Sequence, residues 1–188
     1  MGLRGRNNLT EEHFFFVTTT IINFSKVFVK DSYCDLLLKN IKHYQQRYEF
    51  EVLAYVIMPS HFHWIVAVHP ARGTISEIMR DIKKYSAWDI LMQLEKDASH
   101  LLKNFQNPRN KGQRRQLWMH RFDDEVIRDQ KMLWTKITYI HNNPVEAGLV
   151  FRQEDYKYSS ARNYISDVQS VFYVEKSWAG VDLSRSGH

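Results

Sequence analysis

His61 and His63 stand two residues apart in the run His61-Phe62-His63-Trp64. On a strand, residues i and i+2 project from the same face, so both imidazoles lie side by side while Phe62 and Trp64 face the other way. Two neutral imidazoles on one rigid strand can give two ligands to a divalent ion. Tyr139 and Asn143 form a second pair, four residues apart in Tyr139-Ile140-His141-Asn142-Asn143. On a helix these stack on one face, about 6 Å apart along the axis. A tyrosine beside a cation can act as a nucleophile toward a phosphodiester, and the Asn143 carbonyl offers a hard oxygen ligand. Neither spacing is specific alone. Nine histidines in the chain make one His-X-His pair unremarkable, and Tyr139 equally reads as packing, with Asn143 as a C-terminal cap before Pro144. The location of the histidines, in an apolar run after Pro59-Ser60, is what asks for a reason.

These residues need elements to hold them. Phe14–Phe24 (FFFVTTTIINF) carries the β-branched and aromatic signature of a buried strand. Asp31-Ser32 reads as a helix start, with Leu36, Leu37, Ile41 and Tyr44 at helical spacing through about Arg47. Glu51–Met58 and His61–Val68 read as two further strands across the Pro59-Ser60 turn. Gly73-Thr74 opens a second helix, Thr74 and Glu77 being in capping-box register, and its pattern fades toward Leu102. Asn104–Gln116 is a polar, basic loop, and Leu117–Arg128 is strand-like. Asp129–Val150 reads as a helix whose end is marked by Asn142-Asn143-Pro144. Strand, helix, strand, strand, helix, strand, helix is the pattern of an α+β ferredoxin-like plait: an antiparallel sheet with helices mainly on one face. Residues 1–12 read as a basic arm, 13–165 as the working domain, and 166–188 as a C-terminal tail that ends in the frayed run LSRSGH.

Composition bounds the answer. At 188 residues the chain is one domain with extensions, long enough for a real core. Hydrophobic residues at 44% and charged residues at 25% exclude a mainly disordered chain. Cys34 is the single cysteine, which excludes a disulfide framework and a multi-cysteine zinc module and fits a reducing cytoplasm. No apolar run is long enough to span a bilayer, and no basic leader precedes an apolar segment, so the expectation is neither membrane nor secretion. A net charge of +5 permits a polyanionic partner without demanding one.

The blocks AYVIMPSHFHWIV, DIKKYSAWDI, LWMHRFDDEVIRD and YIHNNPVEAGLV, in this order, resemble a known family. The chain is similar to the single-tyrosine HUH transposases of the IS200-like superfamily, most closely the REP-associated tyrosine transposases, from about Phe14 to Tyr164. The segments MPSHFHW and YIHNNPVEAGLV carry most of the likeness. The resemblance implies that Tyr139 is the nucleophile and that His61, His63 and Asn143 hold a divalent metal, Mg²⁺ or Mn²⁺. The third ligand is usually Gln in the insertion-sequence branch; Asn agrees with the REP-associated branch. The implied activity is that of a DNA strand transferase: cutting and rejoining hairpin-flanked single-stranded DNA through a 5′-phosphotyrosine link, without a nucleotide cofactor. The alternatives are a nicking-only endonuclease and a degenerate relative that binds structured nucleic acid without cutting it.

Candidate DNA contacts are the arm residues Arg4 and Arg6, the helical cluster Arg80, Lys83 and Lys84, the loop residues Lys111, Arg114 and Arg115, and Tyr158 and Arg162 beyond the last helix. For each group a solvated face or an ordinary packing role is an equal reading. The expected partner is single-stranded or hairpin DNA. The branch resemblance favours a monomer, with a homodimer through an exposed edge strand as the alternative.

Overall fold

The computed structural model describes residues 14–106, 115–166, 168–178 and 181–182. Four antiparallel strands form one sheet in the order β2-β3-β1-β4: β1 Phe14–Thr20, β2 Glu51–Met58, β3 His61–Ala67 and β4 Asp123–Val126. Three long helices, α1 Asp31–Tyr48, α2 Ile75–Lys96 and α3 Gln130–Glu146, cover it, and a short helix α4 follows at Ala161–Ile165. This is the expected α+β plait. No helix among the described residues is long and apolar enough to cross a membrane.

The sheet separates two apolar clusters. Phe15, Val17, Phe62, Trp64 and Val66 pack with α1 and α2 on one face. Ile65, Ala67, Val56 and Met58 pack with Leu133, Ile137 and Ile140 of α3 on the other. Strict alternation places His61 and His63 on the α3 face. A bulge in β2 between Val52 and Ala54 lets Leu53 and Ala54 both join the α3 side.

The helix ends follow local chemistry. Thr74 and Glu77 form the expected capping box: Glu77 N–H donates to Thr74 Oγ1, and Thr74 N–H to the Glu77 carboxylate at 2.9 Å. Asp129 accepts from Met132 N–H at 2.7 Å and starts α3. The α3 terminus differs from expectation. Pro144 lies inside the last turn, and the helix runs on to Glu146. What stops it is Gly148 at φ 66, where Gly148 N–H donates to Val145 O and Leu149 N–H to Pro144 O, a Schellman closure. Asn143 therefore keeps helical register with Tyr139 and is not the cap.

Three other boundaries differ. β1 stops at Thr20 because Asn23 and Phe24 take left-handed conformations (φ 57 and φ 50) as the chain folds over the Pro59-Ser60 turn. α2 stops at Lys96, before Ala98 at φ 47 and a 3₁₀ turn at His100–Phe105. The strand-like Leu117–Arg128 stretch yields β4 and an isolated bridge of Trp118 to Ile21, and between them the carbonyls of Met119 and His120 accept from Lys83 Nζ, at 2.8 and 3.1 Å. Of the expected tail, Ser170, Phe172 and Val174 are buried, and Glu175 N–H donates to Val52 O. The free edge of β2 is partly covered by 158–160, through Ile57 N–H to Tyr158 O and Ser160 N–H to Tyr55 O.

Candidate active site

The two imidazoles face α3 with ring centroids 4.7 Å apart. One helical turn of α3 meets both. The Tyr139 ring stands edge-on to His63 at 5.4 Å, and the Asn143 side chain lies next to His61. Two imidazoles from a strand thus meet a phenol and an amide from a helix more than seventy residues away in sequence. The amide has a defined orientation, because Asn143 Nδ2 donates to Tyr139 O at 3.2 Å. That leaves Oδ1, the acceptor, for the site.

Each side chain is held by neighbours. Thr18, paired across the sheet with His63, brings Oγ1 to 2.7 Å from His63 Nδ1. When Nδ1 carries the proton and donates to that hydroxyl, Nε2 keeps the lone pair that a cation needs. Ser60 Oγ lies 3.3 Å from His61 Nδ1 and does the same more loosely. Phe16 stacks on His63 at 5.7 Å and meets Tyr139 edge-to-face at 5.8 Å, forming the wall between them. Tyr139 is 44% exposed, so a phosphodiester in solution can reach it.

The electrostatics suit ligation. His63 is 5% exposed; burial, then the neighbouring His61, pushes its pKa down to about 3. Burial also lowers His61, opposed by the adjacent Asn143 side chain. Both rings are therefore neutral at pH 7 with lone pairs free for a metal. Among the described residues no group of three or more His, Cys, Asp or Glu is placed to hold a metal ion. The available set is two imidazole nitrogens and one amide oxygen, all neutral. Such a set fits a divalent cation whose charge is balanced by substrate phosphate rather than by protein carboxylates.

A second buried histidine shapes the pH response. His141 is buried on α3 with Nε2 2.9 Å from Ser160 Oγ, and burial pushes its pKa down to about 3. Below the ordinary histidine value of 6.5, the unfolded chain takes up protons that folded His63 and His141 refuse. Their contribution to stability is complete above pH 6.5 and is lost as the pH falls toward 3. Urea midpoints are expected to be level from pH 8 to 7 and to drop by pH 5, before most carboxylates titrate; a level midpoint down to pH 5 would contradict the burial of these rings.

The candidate DNA contacts among the described residues are held by other partners. Arg4, Arg6, Lys111 and Arg114 fall outside the described residues. Arg80, Lys83 and Lys84 sit on α2, which packs on the sheet face opposite Tyr139. Arg80 pairs with Asp81 at 2.8 Å, and Lys84 lies over the Tyr85 ring. Lys83, clamped on the 119–120 carbonyls, has its pKa lowered by burial to about 8. Arg115 pairs with Glu95 at 3.1 Å. Tyr158 is buried, its hydroxyl donating to Asp35 Oδ1 at 3.0 Å, so its ring is packed into the core rather than offered to a base. Arg162 Nε donates to Glu154 O at 2.6 Å. Three residues that sequence reasoning did not select border the site: Thr18, Phe16 and Lys136. The first two become visible only with the β1–β3 register, and Lys136 only as the residue one turn before Tyr139 on α3.

Comparisons with known proteins bear on the family and the fold. The family model described as "Transposase IS200 like" matches residues 11–143, from the first strand through Asn143. A protein of Haemophilus influenzae named as a REP-associated tyrosine transposase is 29% identical over 182 residues, covering 97% of each chain. The solved structure of a REP-associated tyrosine transposase bound to a REP hairpin superposes with a TM-score of 0.63 at 21% identity, over 90% of this chain and 91% of that one, and shares the fold. With the family match covering well over half of its length, the chain belongs to the IS200-like transposase family.

Proposed function

We propose that this protein is a DNA strand transferase that cuts and rejoins hairpin-flanked single-stranded DNA, with Tyr139 as nucleophile. The observation that carries the reading is the meeting of Tyr139 with His63 at 5.4 Å while Asn143, one turn on, lies next to His61. The relative whose structure holds a REP hairpin supports hairpin DNA as the substrate class.

The step balances without a nucleotide cofactor. The Tyr139 oxygen forms a bond to phosphorus, the bond from phosphorus to the 3′ oxygen breaks, and the phenolic proton is lost as the leaving oxygen gains one. The products are a 5′-phosphotyrosine and a free 3′-OH. Because the phosphodiester is retained in the link, attack by a 3′-OH reverses the step and joins strands. A divalent cation, Mg²⁺ or Mn²⁺, held by His61, His63 and Asn143 would supply positive charge at the scissile phosphate. Thr18 and Ser60 orient the imidazoles, and Phe16 fixes the Tyr139 ring against His63.

Two features favour a monomer. β4 is short and carries Asp123, Asp124 and Glu125, a charged edge that discourages pairing with a second sheet. The opposite edge, β2, is engaged by residues 158–160.

The test is an end-labelled hairpin with a single-stranded flank, incubated with the protein and Mn²⁺ and run on a denaturing gel. A covalent protein–DNA adduct is expected, lost on chelation and restored by added Mn²⁺, with rejoined strands appearing when a free 3′-OH strand is supplied. Hairpin binding without an adduct in Mg²⁺ or Mn²⁺ would overturn the cleavage reading in favour of a binding protein; an adduct that never rejoins would leave a nicking enzyme.

A further inference from the structure

Tyr139 shares its aromatic wall with a cation. Lys136 lies one turn before Tyr139 on α3, and its Nζ sits 4.6 Å from the centre of the Phe16 ring, whose edge contact with Tyr139 is 5.8 Å. Cation and phenol therefore flank one ring. The Lys136 side chain is 23% exposed and reaches across β1 to Glu125 Oε2 at 2.5 Å, on the edge strand β4. Glu125 is half-exposed, at 52%.

Two physical points make this pair more than a tie between α3 and β4. The cluster of His61, His63, Asn143 and Tyr139 contains no lysine or arginine, and the Lys136 ammonium lies on the Phe16 ring that Tyr139 touches. A phosphodiester arriving at Tyr139 therefore finds in Lys136 a cation built into the wall beside it. In addition, an ion pair with one partner half in water is worth only about 0–1 kcal/mol. An incoming phosphate can displace a carboxylate held that weakly.

We infer that Lys136 binds a backbone phosphate next to the scissile one, and that Glu125 is the counter-ion it releases when DNA arrives. The inference rests on the proposed strand-transfer reading, and it adds a phosphate subsite outside the His61, His63 and Asn143 set. On binding, the Lys136–Glu125 contact breaks, Lys136 donates to a phosphate oxygen, and Glu125 turns to solvent. The lysine places the strand for attack, and Glu125 disfavours occupancy of the subsite in the free protein.

The two partners predict opposite outcomes, which a purely structural tie does not. Both variants break the ion pair, so a structural role would lower the melting temperature and DNA affinity alike in Lys136→Met and Glu125→Gln. A phosphate subsite separates them. Lys136→Met should reduce the slope of log affinity against log salt by about one, for the labelled hairpin with its single-stranded flank. It should also slow adduct formation roughly 10- to 100-fold, the scale of a lost charge-assisted hydrogen bond. Glu125→Gln should bind the same hairpin as tightly as the native chain or up to about fivefold more tightly, with no loss of adduct rate. Lys136→Arg should keep the native salt slope.

Equal losses in Lys136→Met and Glu125→Gln, or an unchanged salt slope in Lys136→Met, would overturn the subsite. If the native protein binds the hairpin but forms no adduct, the cleavage reading fails while the salt slopes still decide the subsite. If the native protein does not bind the hairpin, both fail.

Discussion

Tyr139→Phe is expected to abolish the covalent protein–DNA adduct while leaving the fold and hairpin binding intact. The substitution removes one oxygen and keeps the ring that packs edge-on against Phe16 and His63. Tyr139 is partly exposed, and its hydroxyl has no hydrogen bond among the described residues, so stability should change by no more than about 0.5 kcal/mol. The chemical loss is of another order. Without the phenolic oxygen there is no bond to phosphorus, and residual cleavage should fall at least roughly 1,000-fold, a barrier increase of about 4 kcal/mol. A quantified denaturing gel beside a melting curve and a binding titration checks all three parts. Persistence of the adduct in Tyr139→Phe would assign the nucleophile to another residue.

The second large effect is expected at His61. His61→Ala should lower cleavage at least about 100-fold, since even partners that merely orient metal ligands cost 10- to 100-fold when removed. Hairpin affinity should change little, because His61 is neutral and contributes no phosphate charge pairing. Mn²⁺ binding, followed by electron paramagnetic resonance, should weaken in parallel with cleavage. His61 is the better choice for this test than His63. The His63 ring is buried against Phe16 and bonded to Thr18, so removing it also opens a cavity and strands a hydroxyl. That adds a stability loss of about 1–3 kcal/mol to any catalytic effect. Native cleavage in His61→Ala would show that this imidazole holds nothing the reaction needs.

Most of the architecture was legible in the sequence because periodicity carries it, whereas the four candidate site residues were singled out by the resemblance, their spacing alone being unspecific. Alternation along His61–Ala67 is enough to put both imidazoles on one face, and the spacing of Tyr139 and Asn143 is enough to stack them if the helix persists. What spacing cannot supply is whether the two pairs meet, since that depends on α3 packing on the His61/His63 face rather than on the face covered by α1 and α2. The resemblance supplied that expectation, and the packing carries it. The misread boundaries share a cause. Pro144 looks like a stop, yet the backbone stays helical past it, and Gly148 two residues past the helix sets the end through the bonds to the Val145 and Pro144 carbonyls. The stretch 117–128 has strand composition, but it pairs only at Trp118, with Ile21, and again at β4, with β1, and between them Lys83 takes the carbonyls of Met119 and His120. Thr18 and Phe16 were invisible for a related reason: they reach the site across the sheet, through a β1–β3 register that no local pattern encodes. Basic residues were the least legible. Charge in a sequence does not say which face it lands on, and Arg80, Lys83 and Lys84 land behind the sheet while Lys136, never singled out, stands beside Tyr139.

The central claim is that one cation, one scissile phosphate and one phenol share the gap between β3 and α3. Its most direct test is a crystal of the Tyr139→Phe variant grown with an uncut hairpin and Mn²⁺, with anomalous diffraction recorded at the manganese edge. The account predicts a manganese peak bonded to His61, His63 and Asn143, with a backbone phosphate between that peak and the ring of residue 139. A peak bound by other residues, or a phosphate lying away from residue 139 in a complex where DNA is clearly seated, would contradict it.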